Sequence, residues 1–255
     1  MYSLKGHTAI VTGGASGIGL ATVRLLAEAG ANCVIADINE GAGAQAADEL
    51  EAKGAAALFV KTDVTEGGDV DALIQAATAR FGSLEILMPF AGIGLEKLAL
   101  ETTREEWDRM IAINLTGSFL VMQAAGRVMV EAGYGRIVAM ASISGMRGGT
   151  GRTAYGATKG AMITMTRVMA LEWAGTGVTV NALAPGPVDT ALTRQMYDEE
   201  TRRAYDRAIP MRRFALPEEV AHAAVFLALP QSGYITGITL PVDGGFTSSG
   251  VIKRS

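Results

Sequence analysis

The sequence contains few of the residues that form disulfides, metal centres or nucleic-acid interfaces. Its 255 residues include one cysteine, Cys33, and two histidines, His7 and His222, so neither an internal disulfide nor a His-rich metal site is expected. Lys and Arg number 22 against 26 Asp and Glu, for a net charge of −4 without basic runs. This balance disfavours DNA or RNA as a partner, because nucleic acids are bound through basic patches.

Membrane and export signals are also missing. No run reaches the roughly 18 apolar residues of a membrane span, and the start of the chain, MYSLKGH, lacks the basic, apolar and small-residue pattern of a signal peptide. The single cysteine fits a reducing compartment. We therefore expect a cytoplasmic protein that does not bind a membrane.

Glycine, by contrast, is abundant, at 32 of 255 residues against a usual frequency of about 7%. With 49% hydrophobic and 19% charged residues, the composition is that of a globular protein with a large core. Short β-branched runs alternate along the chain with longer helical patterns. This alternation is typical of βα units around a parallel sheet that is covered on both faces.

The alternating pattern predicts seven strands and six helices. Strands are expected at Thr8 to Thr12, Asn32 to Asp37, Ala57 to Lys61, Ile86 to Met88, Arg136 to Met140, Val178 to Ala182 and Ile238 to Pro241. Helices are expected at Ile18 to Ala29, Gly41 to Lys53, Val70 to Phe81, Glu105 to Glu131, Ala154 to Thr176 and Pro217 to Leu229. They predict an α/β fold with one doubly wound parallel sheet, and because no linker interrupts residues 1–255 we expect one domain.

The segment from Thr190 to Arg213 is far more charged than the rest of the chain. Such a density is typical of a solvated helix, and a surface helix is one interpretation. The segment directly follows a predicted strand, at the end where open α/β sheets bind ligands. We therefore favour a mobile lid over residues 190–213.

The first strand runs into a glycine-rich turn, Thr12 to Gly19, with the sequence TGGASGIG, and then into an amphipathic helix. A turn of this kind forms an anion site, because backbone N–H groups and the positive end of the helix dipole point at a phosphate. A tight turn with close helix packing is the alternative. The spacing is GxxxGxG, so the six-residue GxGxxG fingerprint is absent.

The second strand ends in Asp37, 18 residues after Gly19. A carboxylate at about this offset meets the ribose hydroxyls of NAD, and it would repel the 2′-phosphate of NADP. No cation stands nearby, since Ser16 occupies the turn and Ile38 and Asn39 follow Asp37, so we predict NAD. A strand-terminal cap and an S-adenosylmethionine-dependent methyltransferase are the alternatives at this point.

The middle of the chain carries AYGATK, in which Tyr155 and Lys159 are spaced i and i+4, and Ser142 lies 13 residues before the tyrosine. On one helix the two side chains share a face. An ammonium lowers the pKa of a phenol, which is about 10 when unperturbed, and a serine hydroxyl can donate to the same substrate oxygen. From this spacing alone, an ordinary helix that carries a Tyr and a Lys remains open.

Taken together, these motifs resemble those of the classical short-chain dehydrogenase/reductase family over nearly the whole chain. They are the TGxxxGxG turn at Thr12 to Gly19, Asp63-Val64, Ala91-Gly92, Asn114, Ser142, the YxxxK pair Tyr155 and Lys159, NALAPG at Asn181 to Gly186, and Asp243-Gly244-Gly245. The resemblance implies a Rossmann-like fold and an NAD-dependent oxidoreductase (EC 1.1.1.-) that interconverts a secondary alcohol and a ketone. It also implies a homotetramer.

The resemblance further assigns roles to individual residues. Tyr155 would be the general acid/base, Lys159 would lower its pKa and bind the nicotinamide ribose, Ser142 would polarise the carbonyl, and Asn114 would hold a water behind Lys159. The other residues would contact the cofactor: Gly13, Ser16, Ile18 and Gly19 at the pyrophosphate, Asp37 at the adenosine ribose, Asp63 and Val64 at adenine, Val188 and Thr190 at the carboxamide, and Phe90, Ala91, Gly92, Pro185 and Gly186 along its path.

One motif departs from the family pattern. The usual NNAG after the fourth strand is replaced by Pro89-Phe90-Ala91-Gly92, so two asparagine side chains and one backbone donor are lost. A proline is tolerated at a strand end. We expect activity to survive and assign Phe90 only a backbone contact.

The substrate is predicted only by class, as a small polyol, sugar acid, hydroxyacyl compound or related molecule. Arg147 and Arg152 flank the catalytic loop and could receive an anionic group, but we favour surface or subunit contacts for both. A 3-oxoacyl thioester reductase is the alternative within the family, and Asp37 argues against it because that activity commonly uses NADPH. A non-catalytic nucleotide-binding regulator is the alternative of another class, and the complete Ser142, Tyr155 and Lys159 set argues against it.

Overall fold

The fold is one parallel β-sheet with helices packed on both faces. A computed structural model describes residues 3–250. Its strands are β1 (Thr8–Thr12), β2 (Asn32–Asp37), β3 (Ala57–Lys61), β4 (Ile86–Pro89), β5 (Gly135–Met140), β6 (Val178–Pro185) and β7 (Thr239–Val242). They pair in the order β3-β2-β1-β4-β5-β6-β7, and every pairing is parallel. The predicted seven-stranded, doubly wound sheet is confirmed.

The helices connect these strands. They are α1 (Gly17–Glu28), α2 (Glu40–Ala52), α3 (Gly67–Phe81), α4 (Arg104–Ile111), α5 (Ser118–Ala132), α6 (Thr153–Trp173), α7 (Ala191–Met196), α8 (Glu199–Ala208) and α9 (Pro217–Ala228). The short helices α7 and α8 lie in the charged segment, residues 190–213, where a lid was predicted. No helix among residues 3–250 is long and apolar enough to cross a bilayer.

The strands are apolar almost throughout because both faces of the sheet are covered. Alternate residues of β1 and β5 enter opposite cores: Ile10 and Ile137 belong to one cluster, and Val11 and Val138 belong to the other. All four side chains are fully buried. The continuous hydrophobic runs that marked these strands in the sequence therefore reflect burial on two sides.

The predicted helix from Glu105 to Glu131 is confirmed in extent, but it is not α-helical throughout. It consists of α4, a π-helical segment (Ala112–Gly117) and α5, which follow one another without a break. Two contacts are made from this segment: the amide of Asn114 hydrogen-bonds both backbone groups of Ile93, and a Cβ on Gly117 would lie 2.6 Å from Val64 Cγ2. π-Helical turns within α-helices are frequent at functional sites.

The order of the strands places a crevice at one edge of the sheet. β1 lies between β2 and β4, so the chain leaves β1 in one direction across the sheet and later returns to its other side. Ligands of open α/β sheets bind at the carboxyl ends of the strands at this reversal point. The glycine-rich turn follows β1 at that edge, as does the Phe90-Ala91-Gly92 segment after β4.

The helix that follows the glycine turn offers a test of the core. Leu26 of α1 is fully buried, whereas Leu100 is fully exposed. Leu26→Ala is expected to lower the free energy of unfolding by about 2–5 kcal/mol, because it leaves a cavity. Leu100→Ala is expected to change it by less than about 0.5 kcal/mol. Urea unfolding followed by circular dichroism measures both, and equal losses would contradict the packing described.

Candidate active site

The glycine turn lies against the segment that follows β4. A Cβ on Gly13 would lie 3.0 Å from Ala91 Cα, and a Cβ on Gly19 would lie 2.0 Å from the carbonyl oxygen of Gly13. Glycine is required at both positions because no side chain fits. The turn can therefore bring its backbone close to a ligand at the start of α1.

Ser16 stands at the N-cap position of α1, but its hydroxyl does not cap the helix. Its side chain is exposed and lines the crevice together with Gly17, Ile18 and Gly19. The N–H groups in the first turn of a helix have no partner within the helix. The hydroxyl and these N–H groups together form a set of donors suited to a phosphate.

Asp37 ends β2 and faces the same crevice. Its carboxylate accepts hydrogen bonds from Ala15 N at 3.1 Å and from Asn39 N at 3.0 Å. It therefore acts as the strand-terminal cap that was one interpretation of the sequence, and it also holds the glycine turn. Its hydrogen-bond partners are backbone N–H groups, and among residues 3–250 it forms no ion pair.

The segments after β3 and β4 complete this side of the crevice. Asp63 Oδ1 accepts from the N–H and hydroxyl of Thr65, and Val64 is buried beside Gly117. Ala91 N donates to Thr12 Oγ1 at 3.1 Å. Pro89 pairs in register with Thr12, so the departure from NNAG leaves the strand and the hydrogen bond of Ala91 intact.

Ser142, Tyr155 and Lys159 meet at the carboxyl end of β5. Lys159 Nζ lies 5.6 Å from the centroid of the Tyr155 ring and donates to the carbonyl oxygen of Met140 at 2.7 Å. Ser142 is buried, and its hydroxyl accepts from Ser144 N at 3.1 Å. The structure thus brings the predicted triplet together, with both α6 side chains on one face.

Burial shifts the titration of both α6 groups. It raises the pKa of Tyr155 above its ordinary value, and the nearby Tyr205 adds to this effect, whereas a hydrogen bond with Ser142 and the charge of Arg152 oppose it. Burial lowers the pKa of Lys159 to about 8. Desolvation disfavours the charged form of each group, so in the ligand-free protein neither side chain is held firmly in its charged state.

Asn114 lies behind this group rather than in the crevice. It is fully buried in the π-helical segment, and its amide bonds Ile93 N at 2.8 Å and Ile93 O at 2.9 Å. A Cβ on Gly92 would lie 3.1 Å from Asn114 Oδ1 and 3.9 Å from Lys159 Nζ. The amide and the ammonium therefore both lie beside Gly92, on the side where a Cβ would stand.

The segment after β6 closes the far wall. Gly186 N donates to Val242 O at 3.0 Å, Val188 forms a parallel bridge with Ala215, and Thr190 caps α7 through its hydroxyl. A Cβ on Gly17 would lie 3.4 Å from Thr190 Cγ2. The β6 segment and the glycine turn thus face each other across the crevice.

All but one of the predicted site residues line one cavity of about 670 Å³. They are Gly13, Ser16, Ile18, Gly19, Asp37, Asp63, Val64, Phe90, Ala91, Gly92, Ser142, Tyr155, Lys159, Pro185, Gly186, Val188 and Thr190. Asn114 is the exception. Among residues 3–250 no group of three or more His, Cys, Asp or Glu is placed to hold a metal ion.

The structure adds residues to the cavity that the sequence did not indicate. Arg152, for which a surface or subunit contact was favoured, is 5% exposed and lines the cavity, so that expectation is wrong. Arg147 is exposed and donates to Thr247 O. Tyr197 and Tyr205 of the charged segment also line the cavity. Arg152 stands three residues before Tyr155, and the two tyrosines stand between charged residues. In the sequence, neither position is a strong enough signal to place these side chains in the cavity.

Comparison with known proteins gives consistent matches along the chain. The model of the family described as enoyl-(acyl carrier protein) reductase matches residues 13–247. The cis-4-hydroxycyclohexanecarboxylate dehydrogenase of Sinomonas cyclohexanicum is 44% identical, over 95% of this chain and 97% of that protein. The 3-oxoacyl-[acyl-carrier-protein] reductase of Chlamydia muridarum is 40% identical, over 95% and 98%.

A solved structure matches equally well. A short-chain type dehydrogenase/reductase from Mycobacterium marinum superposes with a TM-score of 0.92 at 33% identity, over 97% of this chain and 98% of that one. The identities and the near-complete coverage on both sides exclude a methyltransferase, which was one alternative for the glycine turn and Asp37.

The buried ammonium predicts a pH-dependent stability. The pKa of Lys159 is lowered from 10.5 to about 8 in the folded protein, so between these values the unfolded chain binds more protons and stability rises with pH. From pH 7 to 10, wild type is expected to gain on the order of 2 kcal/mol over Lys159→Met, since one pKa unit is about 1.4 kcal/mol. Denaturant unfolding at each pH measures it.

The exposed Lys5 provides the control. Lys5→Met is expected to follow wild type at every pH, because it removes an ammonium that stays exposed to solvent in the folded protein. If the curves of wild type and Lys159→Met instead run parallel, the ammonium is not desolvated as described.

Proposed function

Since this chain belongs to the classical short-chain dehydrogenase/reductase family and is an oxidoreductase acting on CH–OH groups, we propose that it interconverts secondary alcohols and ketones with NAD. The observation that carries the proposal is the meeting of Ser142, Tyr155 and Lys159 beside the glycine turn in one cavity. The alternative of a non-catalytic regulator is set aside.

The crevice fits a dinucleotide. Gly13 and Gly19 leave no room for a Cβ, the Ser16 hydroxyl makes no cap bond, and the Asp37 carboxylate stands at the end of β2. These features supply a phosphate site and an acceptor for ribose hydroxyls. Bound NAD would supply the hydride acceptor, and the carboxylate of Asp37 would repel the 2′-phosphate of NADP.

The chain's own residues handle the substrate oxygen and its proton. The Ser142 hydroxyl donates to that oxygen and orients it beside Tyr155. In ketone reduction the Tyr155 hydroxyl delivers the proton, and the raised pKa of the phenol keeps the hydroxyl protonated before the transfer. In alcohol oxidation the phenolate takes the proton, and Lys159 stabilises the phenolate at pH values at which its ammonium is charged.

Asn114 is proposed to act behind Lys159. Its Oδ1 and the Lys159 ammonium both lie beside Gly92, so a water bound between them would pass protons from Lys159 to solvent. The second task of Asn114 is to fix Ile93, whose N–H and carbonyl it binds. The residue therefore holds the segment after β4 against the reacting centre.

The remaining features of the proposal concern the whole protein. We propose one domain over residues 1–255 with a lid at residues 190–213, whose Leu192, Met196, Tyr197 and Tyr205 line the cavity.

We propose a homotetramer in the cytoplasm. The exposed apolar side chains of Phe119, Val168, Leu171 and Phe226 support subunit contacts, and mass measurement in solution tests the assembly.

The substrate is proposed as a secondary alcohol or ketone. A relative named for a hydroxycyclohexanecarboxylate supports a small polar substrate, and one named a 3-oxoacyl-[acyl-carrier-protein] reductase supports the second candidate. A panel of alcohols, ketones and 3-oxoacyl thioesters, each assayed with both cofactors through the absorbance of the reduced nicotinamide, separates them. Turnover of the thioester with NADPH alone would favour the second candidate.

Removing the Tyr155 hydroxyl tests the catalytic assignment. Tyr155→Phe is expected to lower kcat by about 10²–10⁴-fold, because no group is left to exchange the proton. Tyr234→Phe is the matched control, since that tyrosine is fully exposed, and it should leave kcat unchanged. Unaltered turnover by Tyr155→Phe on the substrate identified by the panel would refute the assignment.

Neutralising Asp37 tests the cofactor preference. Asp37→Asn keeps an oxygen for Ala15 N and removes the charge, so the ratio of kcat/KM for NAD over NADP is expected to fall roughly ten-fold, equivalent to about 1.4 kcal/mol. Asp48→Asn, at an exposed position on α2, should leave the ratio unchanged. A wild-type preference for NADP would overturn the argument from Asp37.

A further inference from the structure

Arg152 is a buried cation in the substrate half of the cavity. Its side chain is 5% exposed, yet it lies one residue before α6, the helix that carries Tyr155. Its guanidinium donates to Glu96 Oε2 at 2.8 Å and to Leu95 O at 3.1 Å. Both partners belong to the segment after β4, so the arginine joins two loops that border the cavity.

The guanidinium also lies against two phenol rings. Arg152 Cζ is 5.8 Å from the centroid of the Tyr155 ring and 5.1 Å from that of Tyr197. Lys159 Nζ is 5.6 Å from the same Tyr155 ring. Tyr155 therefore has two cationic neighbours at nearly equal distances, and one of them is absent from the motifs described above.

The two cations differ in how long they keep their charge as the pH rises. The pKa of Lys159 is lowered to about 8, so its charge is lost in the alkaline range in which a buried phenol titrates. An arginine stays protonated throughout this range. The charge of Arg152 opposes the effect of burial on the pKa of Tyr155.

We propose that Arg152 is a positioning residue of the reaction, which holds a permanent positive charge beside the Tyr155 phenol, and that Glu96 limits how much of this charge the phenol experiences. This inference rests on the proposed function, because it concerns the acid/base step assigned to Tyr155. The ion pair between Arg152 and Glu96 therefore joins two loops and also sets how much positive charge the Tyr155 phenol experiences.

The polar and charged groups around Tyr155 come from four directions. Lys159 lies on the same helix, Ser142 follows β5, and Arg152 precedes α6 with Glu96 behind it. Tyr197 and Tyr205 come from the charged lid segment. Glu96 also lies 3.5 Å from Thr201 Oγ1 of α8. Of the two cations in this set, Arg152 is the one whose charge does not change over the working pH range.

The sign of the effect follows from the chemistry of oxidation. The phenolate is the base, so kcat/KM for alcohol oxidation rises with pH through the pKa of Tyr155. A cation at the 5.8 Å that separates Arg152 Cζ from the centroid of the Tyr155 ring stabilises a negative charge centred on that ring by about two pKa units at an effective dielectric constant of 20. The nearby Glu96 cancels part of it, so we expect a net shift of about one unit from the pair.

Charge variants of the pair test the proposal in opposite directions. In Arg152→Met the acid limb of kcat/KM should move up by about two pH units, a hundredfold loss at pH values below the limb, because the guanidinium is lost while the Glu96 carboxylate remains. Arg152→Lys, which keeps the charge, should stay close to wild type. Glu96→Gln should move the limb down, because the charge of Arg152 is no longer offset.

Two further variants separate charge from structure. Arg152→Met combined with Glu96→Gln leaves no unpaired carboxylate, so it remains testable if Arg152→Met fails to fold, and its limb should still lie above that of wild type. Thr201→Val removes the weak lid contact with Glu96 and no charge. Its limb should coincide with that of wild type. A shift as large as that of Arg152→Met would overturn the proposal and assign the effect to the structural contact between Glu96 and the lid.

A second readout does not depend on turnover. Protein labelled with ¹³C at tyrosine Cζ reports the titration of each phenol by NMR, and Tyr155→Phe identifies the signal of Tyr155. Its midpoint should rise in the Arg152→Met protein and fall in the Glu96→Gln protein. Identical midpoints in all variants would overturn the inference about Arg152, whereas turnover that is indifferent to Tyr155→Phe would overturn the proposed function and leave the titration to decide on Arg152.

Discussion

The hydrogen bond from the buried Lys159 ammonium to the carbonyl oxygen of Met140 holds together the groups that we propose to react. It ties the face of α6 to the carboxyl end of β5, and so places Tyr155 beside Ser142 in the first turn after that strand. Burying an ammonium is costly unless it is hydrogen-bonded, and the lowered pKa of Lys159 is the sign of that cost. Burial of the Lys159 ammonium thus lowers the stability of the folded protein at the position where the proposed reaction needs a cation.

The parallel sheet then brings a ligand to this point. Because every strand runs the same way, the turns after β1, β4, β5 and β6 all open at one edge. The reversal of strand order beside β1 leaves the crevice there, and close backbone contacts between the glycine turn and the segment after β4 shape it. Asp37 has two tasks in this arrangement, since the carboxylate that would select the cofactor also holds the turn through Ala15 N.

Much of this arrangement could be predicted from the sequence, for physical reasons. Strands buried on both faces appear as continuous β-branched runs, and the glycines of the turn are required by contacts that allow no Cβ. Asn114 was identified through the family motif, but the π-turn around it was not, since the residues that it contacts, Ile93 and Val64, are distant in sequence. The burial of Arg152 was missed for the same reason: only the folded chain brings Glu96 and Leu95 to its guanidinium.

The measurement that tests the account most directly follows the label on the carbinol carbon. A panel of secondary alcohols deuterated at that carbon is incubated with the protein and NAD, and the reduced nicotinamide is analysed by mass spectrometry. The account predicts that the deuterium appears in the reduced nicotinamide and that Tyr155→Phe slows its transfer by about 10²–10⁴-fold. Turnover in which the label is released to water, or transfer at the wild-type rate in Tyr155→Phe, would contradict it.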